Sequence, residues 1–202
     1  MKRTAEEAAQ TKQALMRSAL FVFQQQGWVG ATFEQIATHA GVTRGALTHH
    51  FKHKQALLIE ALEWAWKRYS THLFETIEGG SAVEQLTSFM NTYVQLLQDD
   101  ACFQALAATS VLVAPQAFEV TDTNNLDKAD TLTVWHDRMV SIINAEHPQT
   151  NHPSAQAIAG VLIALIQGFT VSAATRPSDL PDPVERPGLL RQLITGIMGQ
   201  CD

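Results

Sequence analysis

Three side chains that can hydrogen-bond, Arg44, Thr48 and His49, fall on one face of a short predicted helix. Leu47 and Phe51, four residues apart, give the same helix an apolar face. An arginine can donate two hydrogen bonds to a guanine, and small polar side chains beside it can reach other base edges. The pattern is typical of a helix that packs by one face and reads the DNA major groove with the other.

A neighbouring short helix must hold this one at an angle, and the preceding residues predict it. A capping-box pattern begins at Thr32, and Ile36 and Ala40 give this helix its apolar face. Gly41 ends it, because glycine takes a left-handed backbone without steric cost. Thr43 then supplies a side-chain oxygen to cap the next helix. The stretch therefore predicts a helix-turn-helix, with a helical hairpin that only packs as the alternative.

The charge of the chain is divided unevenly along its length. The whole chain has a net charge of −6, yet residues 1–54 hold seven basic and three acidic residues and carry +4. The remaining residues hold seven basic and seventeen acidic side chains, a charge of −10. This division predicts a basic end that approaches phosphates and an acidic body that does not.

The N-terminal third resembles the DNA-binding domain of TetR/AcrR-family transcriptional regulators. The order and spacing of many positions over some fifty residues agree, which is a more specific signal than a short motif. The residues that carry the resemblance are Leu15, Ala19, Phe23, Gly27, Thr32, Ile36, Ala37, Ala40, Gly41, Val42, Gly45, Leu47, His50, Phe51, Lys54 and Leu57.

The resemblance implies two sets of DNA-contacting residues. The set that faces the groove comprises Arg44, Gly45, Ala46, Thr48 and His49. The set that contacts the DNA backbone comprises Thr32, Thr43, His50 and Lys54.

The chain departs from the family pattern at two of these positions. The family usually has tyrosine where this chain has Thr48, which keeps a hydroxyl but has a shorter reach. His53 stands where the family often has serine, asparagine or aspartate as a helix cap, which predicts a weaker start for the following helix.

The rest of the chain is predicted to be helical, without strand-like alternation of any length. We expect an all-α protein with a three-helix DNA-binding domain over 1–54 and a helical ligand-binding and dimerisation bundle over 55–202. The long helix that begins at Lys54 and ends near residue 77 carries movement between the two. Residues 121–130 are polar with low helix propensity, and either a loop or an interrupted helix fits them.

A predicted helix that starts at Ser154 is apolar nearly all round, so we expect it to be buried on every side. In a chain of this size, that indicates that a partner subunit covers it. The segment also resembles the penultimate helix of the family, which pairs with the last helix to dimerise. We predict a homodimer through residues 154–173 and 188–200.

Five bulky side chains are candidates for a small-molecule pocket in the C-terminal domain, which would bind a partly hydrophobic effector. They are Trp64, Phe103, Phe118, Trp135 and Met139. Each of them also fits an ordinary core position. Trp135 and Met139, four residues apart, are the first choice for a pocket wall.

Several other classes of function lack support. The chain has no nucleophile elbow, HExxH motif or phosphate-binding loop, so we predict no enzyme, no catalytic residue and no cofactor. His49 and His53 have a spacing that can bind zinc, but no cysteine or carboxylate lies alongside, so we predict no metal site.

The composition favours a cytoplasmic protein. At 46% hydrophobic and 17% charged residues, the chain can form a sizeable core. Cys102 and Cys201 lie far apart, which suits a reducing compartment, and no signal peptide is apparent. The longest apolar run, 158–166, is far short of the ~20 residues that span a bilayer, so no membrane segment is expected.

Together these patterns predict a dimeric, ligand-responsive transcriptional regulator. By family analogy it is a repressor that binds a palindromic double-stranded operator through residues 43–50 and is released by a small molecule. The alternative is a helical ligand-binding or interaction protein that no longer reads DNA.

Overall fold

The computed structural model describes residues 5–77, 79–118, 128–146 and 153–199, and within these ranges it contains helices and turns but no strand. The all-α prediction is confirmed. The α-helices are α1 (Ala5–Gly30), α2 (Phe33–His39), α3 (Arg44–His50), α4 (Lys54–Glu75), α5 (Ala82–Asp99), α6 (Ala101–Ala108), α7 (Ala114–Ala117), α8 (Lys128–Glu146), α9 (Ala155–Thr175) and α10 (Arg186–Met198). A π-helical turn, Thr109–Val113, joins α6 to α7, and a short 3-10 turn, Pro177–Asp179, follows α9.

The chain forms two compact units. The first lies within Met1–Lys67 and Ala101–Leu126, and the second within Arg68–Asp100 and Asp127–Asp202. Helix α4 contributes its first part to one unit and its last part to the other. The functional division at residues 54 and 55 is not tested by this arrangement and stays a prediction.

The first unit is built on the apolar stripe of α1. Leu15, Ala19 and Phe23 are fully buried at four-residue intervals, because that spacing brings them onto one face of the helix. Gly27 interrupts the helix with a φ of +67°, and one further turn continues to the end of α1. The π-helical turn packs against the same helix, where the Thr109 hydroxyl donates a hydrogen bond to the Leu20 carbonyl.

The second unit has an aromatic core. The fully buried Trp135 ring lies 5.4 Å from the Phe89 ring and 5.8 Å from the Tyr93 ring, both nearly perpendicular to it. Its indole N–H donates to the Ser70 hydroxyl at 2.9 Å, so the polar atom of the ring is satisfied inside the core. Burial raises the pKa of the Tyr93 phenol, whose hydroxyl shares a hydrogen bond with Thr170.

Helix α9 is buried on one side only within this single chain. Its buried face includes Ile158, Leu162 and Ile166. Its other face is open, with Val161 46% exposed and Val171 47% exposed. The single chain buries one side of α9, so burial on every side through coverage by a partner subunit stays a prediction.

The apolar run 158–166 lies within a longer apolar helix, α9. Helix α9 has 21 residues and is long and apolar enough, by length and composition, to cross a membrane. One such helix is weak evidence, since core helices of soluble proteins have the same composition.

The question left open at residues 121–130 is answered in part. Residues 128–130 belong to α8, whereas 121–127 lie outside the described residues, as do Cys201 and the last residue of the predicted dimer segment 188–200.

Candidate nucleic-acid interface

The cap of α2 has the predicted geometry. The Thr32 hydroxyl oxygen accepts a hydrogen bond from the Gln35 backbone N–H at 3.2 Å, and the Gln35 side-chain oxygen accepts from the Thr32 N–H at 2.9 Å. The Thr32 hydroxyl proton is donated to the same Gln35 oxygen. This capping box stabilises a helix of only seven residues, which would be marginal without tertiary support.

The turn between α2 and α3 depends on Gly41. Its φ is +69°, in the left-handed region that residues with a Cβ adopt only with strain. The next residue, Val42, donates its N–H to the Ala37 carbonyl at 2.9 Å and closes the end of α2. The predicted role of Gly41 is confirmed.

Helix α3 is anchored from beneath and capped at its start. Leu47 and Phe51 are both buried, and the Phe51 N–H donates to the Leu47 carbonyl at 2.9 Å. The Thr43 hydroxyl oxygen accepts the Ala46 N–H at 3.2 Å. The buried pair fixes the rotation of the helix about its own axis and so decides which side chains face outward.

The outward face of α3 carries most of the predicted groove-facing residues. Arg44, Gly45, Thr48 and His49 are exposed, whereas Ala46 is half-buried. This face thus exposes a guanidinium, a hydroxyl and an imidazole side by side. This face can donate and accept hydrogen bonds at base edges.

Thr48 uses part of its hydrogen-bonding capacity inside α3. Its hydroxyl donates to the Gly45 carbonyl at 3.1 Å. The same oxygen keeps lone pairs that can accept a further hydrogen bond. The departure from tyrosine therefore changes the chemistry of this position as well as its reach.

Two histidines near the interface have structural roles in the first unit. His39 stacks on Phe21 with ring centroids 5.7 Å apart. His53 Nδ1 accepts the Ala56 backbone N–H at 3.1 Å, so an imidazole caps the start of α4. This cap requires the tautomer with its proton on Nε2. The predicted weakness of this helix start is offset by a bond that sequence reasoning did not foresee.

Two further histidines, His49 and His50, lie in the last turn of α3. His49 is exposed and His50 is half-buried, with their rings edge-to-face at 5.4 Å. The described residues contain no group of three or more histidine, cysteine, aspartate or glutamate side chains that could hold a metal ion.

Lys54 is half-buried, and its ammonium is hydrogen-bonded within the first unit. Its ammonium donates hydrogen bonds to the Trp28 and Ala31 carbonyls, the latter at 2.9 Å, and lies 4.4 Å from the centroid of the Trp28 ring. Burial lowers the pKa of the Lys54 ammonium from its ordinary value. Lys54 is the first residue of α4, as predicted, but its hydrogen-bond partners, which lie 23 and 26 residues earlier, were not predicted.

The basic excess of residues 1–54 is partly neutralised within the first unit. Lys12 forms an ion pair with Glu60 at 2.5 Å. Arg44 and Lys52 are both exposed next to or on α3. Exposed positive charge therefore lies on and beside α3, and a further exposed arginine, Arg17, lies on α1.

The predicted pocket residues occupy core positions. Phe103 and Phe118 are buried and Trp64 is half-buried in the first unit, while Trp135 and Met139 are fully buried in the second. Their burial fits the core alternative and leaves ligand binding a prediction.

A surface cleft of about 580 Å³ lies between α4 and α8 in the second unit. Its lining contains none of the five predicted pocket residues and comprises Thr71, Phe74, Glu75, Val134, Asp137, Arg138 and Ser141.

Comparisons with known proteins agree with this geometry. Residues 15–61 match the family described as "Bacterial regulatory proteins, tetR family". The chain is 49% identical over 57 residues to the uncharacterized HTH-type transcriptional regulator TtgW of Pseudomonas putida, a match covering 28% of this chain and 42% of that protein. It is 32% identical over 99 residues to TtgR of the same species, covering 49% of this chain and 47% of the relative. These matches span less than half of each relative's length.

Solved structures extend the likeness to nearly the whole chain. A transcriptional regulator from Rhodococcus sp. Rha1 is 25% identical with a TM-score of 0.71, covering 93% of this chain and 95% of that one. FadR from Bacillus subtilis, solved in complex with stearoyl-CoA, has a TM-score of 0.71 at 18% identity, covering 90% and 96%, and shows the shared fold.

The family match at residues 15–61 includes the whole of α2 and α3. The structural likeness extends to the C-terminal helices, and the named relatives are transcriptional regulators rather than enzymes. Residues 15–61 thus match the tetR family of bacterial regulatory proteins, and nearly the whole chain is similar to a solved transcriptional regulator.

Proposed function

We propose that the protein is a dimeric, ligand-responsive repressor that binds a palindromic operator through residues 43–50. The observation that carries this proposal is the two-sided character of α3. Leu47 is buried beneath the helix, while Arg44, Thr48 and His49 are exposed above it. A helix held rigidly from one side can present the other to a major groove.

The residues of the groove-facing set would each make a different kind of contact with the bases. Arg44 donates to guanine, the Ala46 methyl contacts a thymine methyl, and Thr48 accepts from a base amino group. Gly45 adds no side chain, so the backbone of α3 can approach the base edges closely. His49 contributes a further hydrogen-bonding ring at the end of the face.

The backbone-contacting set lies around the recognition face. The Thr43 hydroxyl accepts its cap bond and therefore keeps a proton to donate to a phosphate oxygen. Thr32 at the start of α2 and His50 at the end of α3 complete the contacts. Lys54 belongs to the set by its position, with its ammonium directed toward the segment before α2.

Dimerisation is supported by the open apolar faces of the last two helices. Val161 and Val171 on α9 are joined by Leu189, 52% exposed, and Leu193 on α10. Exposed apolar area of this kind costs free energy in water, and a second copy of the same surface removes it. Two recognition helices about 34 Å apart would then read successive major grooves, which requires a palindromic site.

Release by a small molecule rests on family likeness. FadR, whose fold is shared, was solved with stearoyl-CoA, a ligand with a long apolar chain. We expect an effector of partly hydrophobic character to bind the second unit and shift the population of α4 positions. The ligand-free protein then represses in the cytoplasm, where the chromosome is accessible.

Selection from a random duplex library tests this proposal. Purified protein should enrich an inverted repeat, and a thermal-shift screen of small hydrophobic compounds should identify a ligand that releases it. Absence of any enriched sequence, together with weak retention on heparin, would favour a ligand-binding protein that no longer reads DNA.

A further inference from the structure

Helix α10, which packs against α5, carries two apolar pairs on neighbouring faces. Leu190 and Ile194 form the buried pair, and Leu189 and Leu193 form the exposed pair. The two pairs are offset by one residue, which is about 100° around a helix. A rotation of α10 by that angle would exchange them, since all four side chains are leucine or isoleucine. The apolar pattern alone therefore does not decide which pair packs inside.

A buried arginine lies on the same face of α10 as the buried pair. Arg186 is only 5% exposed and precedes Leu190 by four residues. Its Nε donates to Asn91 Oδ1 at 2.9 Å, and its Nη1 donates to Gln98 Oε1. Both acceptors belong to α5 and lie about two helical turns apart. The guanidinium therefore holds α10 at one angle of rotation against α5.

The two hydrogen bonds make the two rotations of α10 unequal in free energy. A guanidinium keeps its charge in a protein, and none of the ion pairs between described residues includes Arg186. The amide oxygens of Asn91 and Gln98 are thus the acceptors that replace water around this buried group. The other rotation would break both bonds and place apolar side chains beside these oxygens, which costs free energy.

The connection between α9 and α10 is tied to the same glutamine. Gln98 Nε2 donates to the Pro181 carbonyl at 2.8 Å, and Leu180 beside it is buried. The Arg186 backbone N–H donates to the Asp182 carbonyl, also at 2.8 Å. One side chain of α5 thus contacts both the segment that follows α9 and the first residue of α10.

We propose that Arg186 is a positioning residue for association with a second copy of the chain. Its two hydrogen bonds select the rotation of α10 that buries Leu190 and Ile194 and leaves the exposed pair available to the partner. This inference rests on the proposed function, because dimerisation through α9 and α10 is itself a proposal. The selection of one rotation concerns the single chain.

The variant R186M separates this role from general stabilisation. Methionine fills the site without a charge, and replacing a buried charged group by an apolar one often leaves the free energy of unfolding unchanged. If both rotations become equally populated, each chain is competent half of the time, and a dimer of two such chains weakens about fourfold. We expect sedimentation to show a dissociation constant raised by about fourfold or more. R191M is the matched control, since Arg191 is an exposed arginine of the same helix, and it should keep the wild-type constant.

The free energy of unfolding is measured in the V161E background, where a charge opposes dimerisation. It should be the same with and without R186M. A wild-type dissociation constant in R186M would overturn the inference. A weaker dimer accompanied by an equal loss of single-chain stability would also overturn it, because stabilisation alone would then account for the effect.

The variant R186K covers the case in which R186M does not fold. It keeps the charge but offers one nitrogen where two donate to Asn91 and Gln98. We expect its dissociation constant to rise by about twofold or more, since it holds the rotation less well. A constant equal to that of the wild type would contradict the inference.

NMR spectra of V161E test the rotation without a dimer. Methyl groups of the buried pair should show Overhauser contacts to α5, and adding R186M should produce such contacts from the exposed pair as well. Contacts from the buried pair alone in both proteins would overturn the inference. If the wild type sedimented as a monomer, the proposed dimer would fail while this measurement still decided the role of Arg186.

Discussion

Helices α3 and α9 each bury one side and expose the other, but their exposed sides differ in kind. The open face of α3 presents Arg44, Thr48 and His49. The open face of α9 presents Val161 and Val171. The first face is stable in water as it stands, whereas the second leaves apolar area exposed at roughly 25 cal/mol per Å².

The difference between the exposed faces of α3 and α9 indicates what kind of molecule each face can bind. A polar face on a rigid short helix is complementary to base edges, which offer fixed donors and acceptors. An apolar face on a long helix is complementary to another apolar face, and the same helix in a second copy provides one. In the proposed dimer, α9 would set the spacing between the two chains and α3 would read the DNA sequence.

The largest effect is expected at α9. Val161→Glu should weaken the dimer by on the order of 3 kcal/mol, because the two-fold axis brings like charges together in an apolar contact. The fold of each chain should be unaffected since Val161 is already half open to water. Sedimentation over a concentration series measures the change. Val184→Glu is the control, because that valine is 89% exposed outside α9 and α10; equal behaviour of the two variants would remove α9 from the interface.

The α3 face is tested next. Arg44→Ala should lower operator affinity by about 1–3 kcal/mol through loss of a bidentate contact to guanine, with unchanged unfolding free energy. Arg17→Ala, at an exposed arginine of α1, serves as the matched control in the same gel-shift series. Unchanged binding by Arg44→Ala would remove that side chain from base reading.

Substitutions at two glycines separate the stability of the helix-turn-helix from the access of DNA to the outward face of α3. Gly41→Ala should cost about 1–2 kcal/mol of unfolding free energy, because its φ of +69° is strained for alanine. Gly45→Ala should instead stabilise α3 by about 0.5–1 kcal/mol, since a Cβ there meets only Thr43 Oγ1 at 3.8 Å. Gly45→Ala should still weaken DNA binding by crowding the groove. Denaturation combined with gel shifts tests both, and tighter binding by Gly45→Ala would contradict the close approach.

The smallest effect is expected at the cap of α4. His53→Ala should cost about 1 kcal/mol of unfolding free energy, because the Ala56 N–H loses its side-chain acceptor. His53→Asn should restore most of it. Urea denaturation of the wild type, His53→Ala and His53→Asn measures these free energies. Equal midpoints would show that the cap contributes nothing to stability.

The features that sequence predicted best are those fixed by neighbours in the chain. The capping box at Thr32, the left-handed Gly41 and the cap at Thr43 are all closed within a few residues. Local hydrogen bonding and glycine conformation decide these caps and this turn, so the residue types at these positions are enough to predict them.

The features that sequence missed depend on distant partners. The Lys54 ammonium donates to carbonyls 23 and 26 residues earlier, and nothing in its own neighbourhood indicates these partners. The apolar run of α9 could not show which side faces the core, because nearly every position is apolar. His53 as a cap was missed because imidazole is an uncommon acceptor at a helix start.

In the proposed complex, two copies joined through α9 and α10 place two α3 helices on one duplex. Native mass spectrometry of the protein with a DNA duplex enriched from the random library measures this directly. We expect two chains per duplex for the wild type and for Val184→Glu, and we expect Val161→Glu to lose the two-chain complex. A tight, sequence-selective complex that contains one chain per duplex would contradict it.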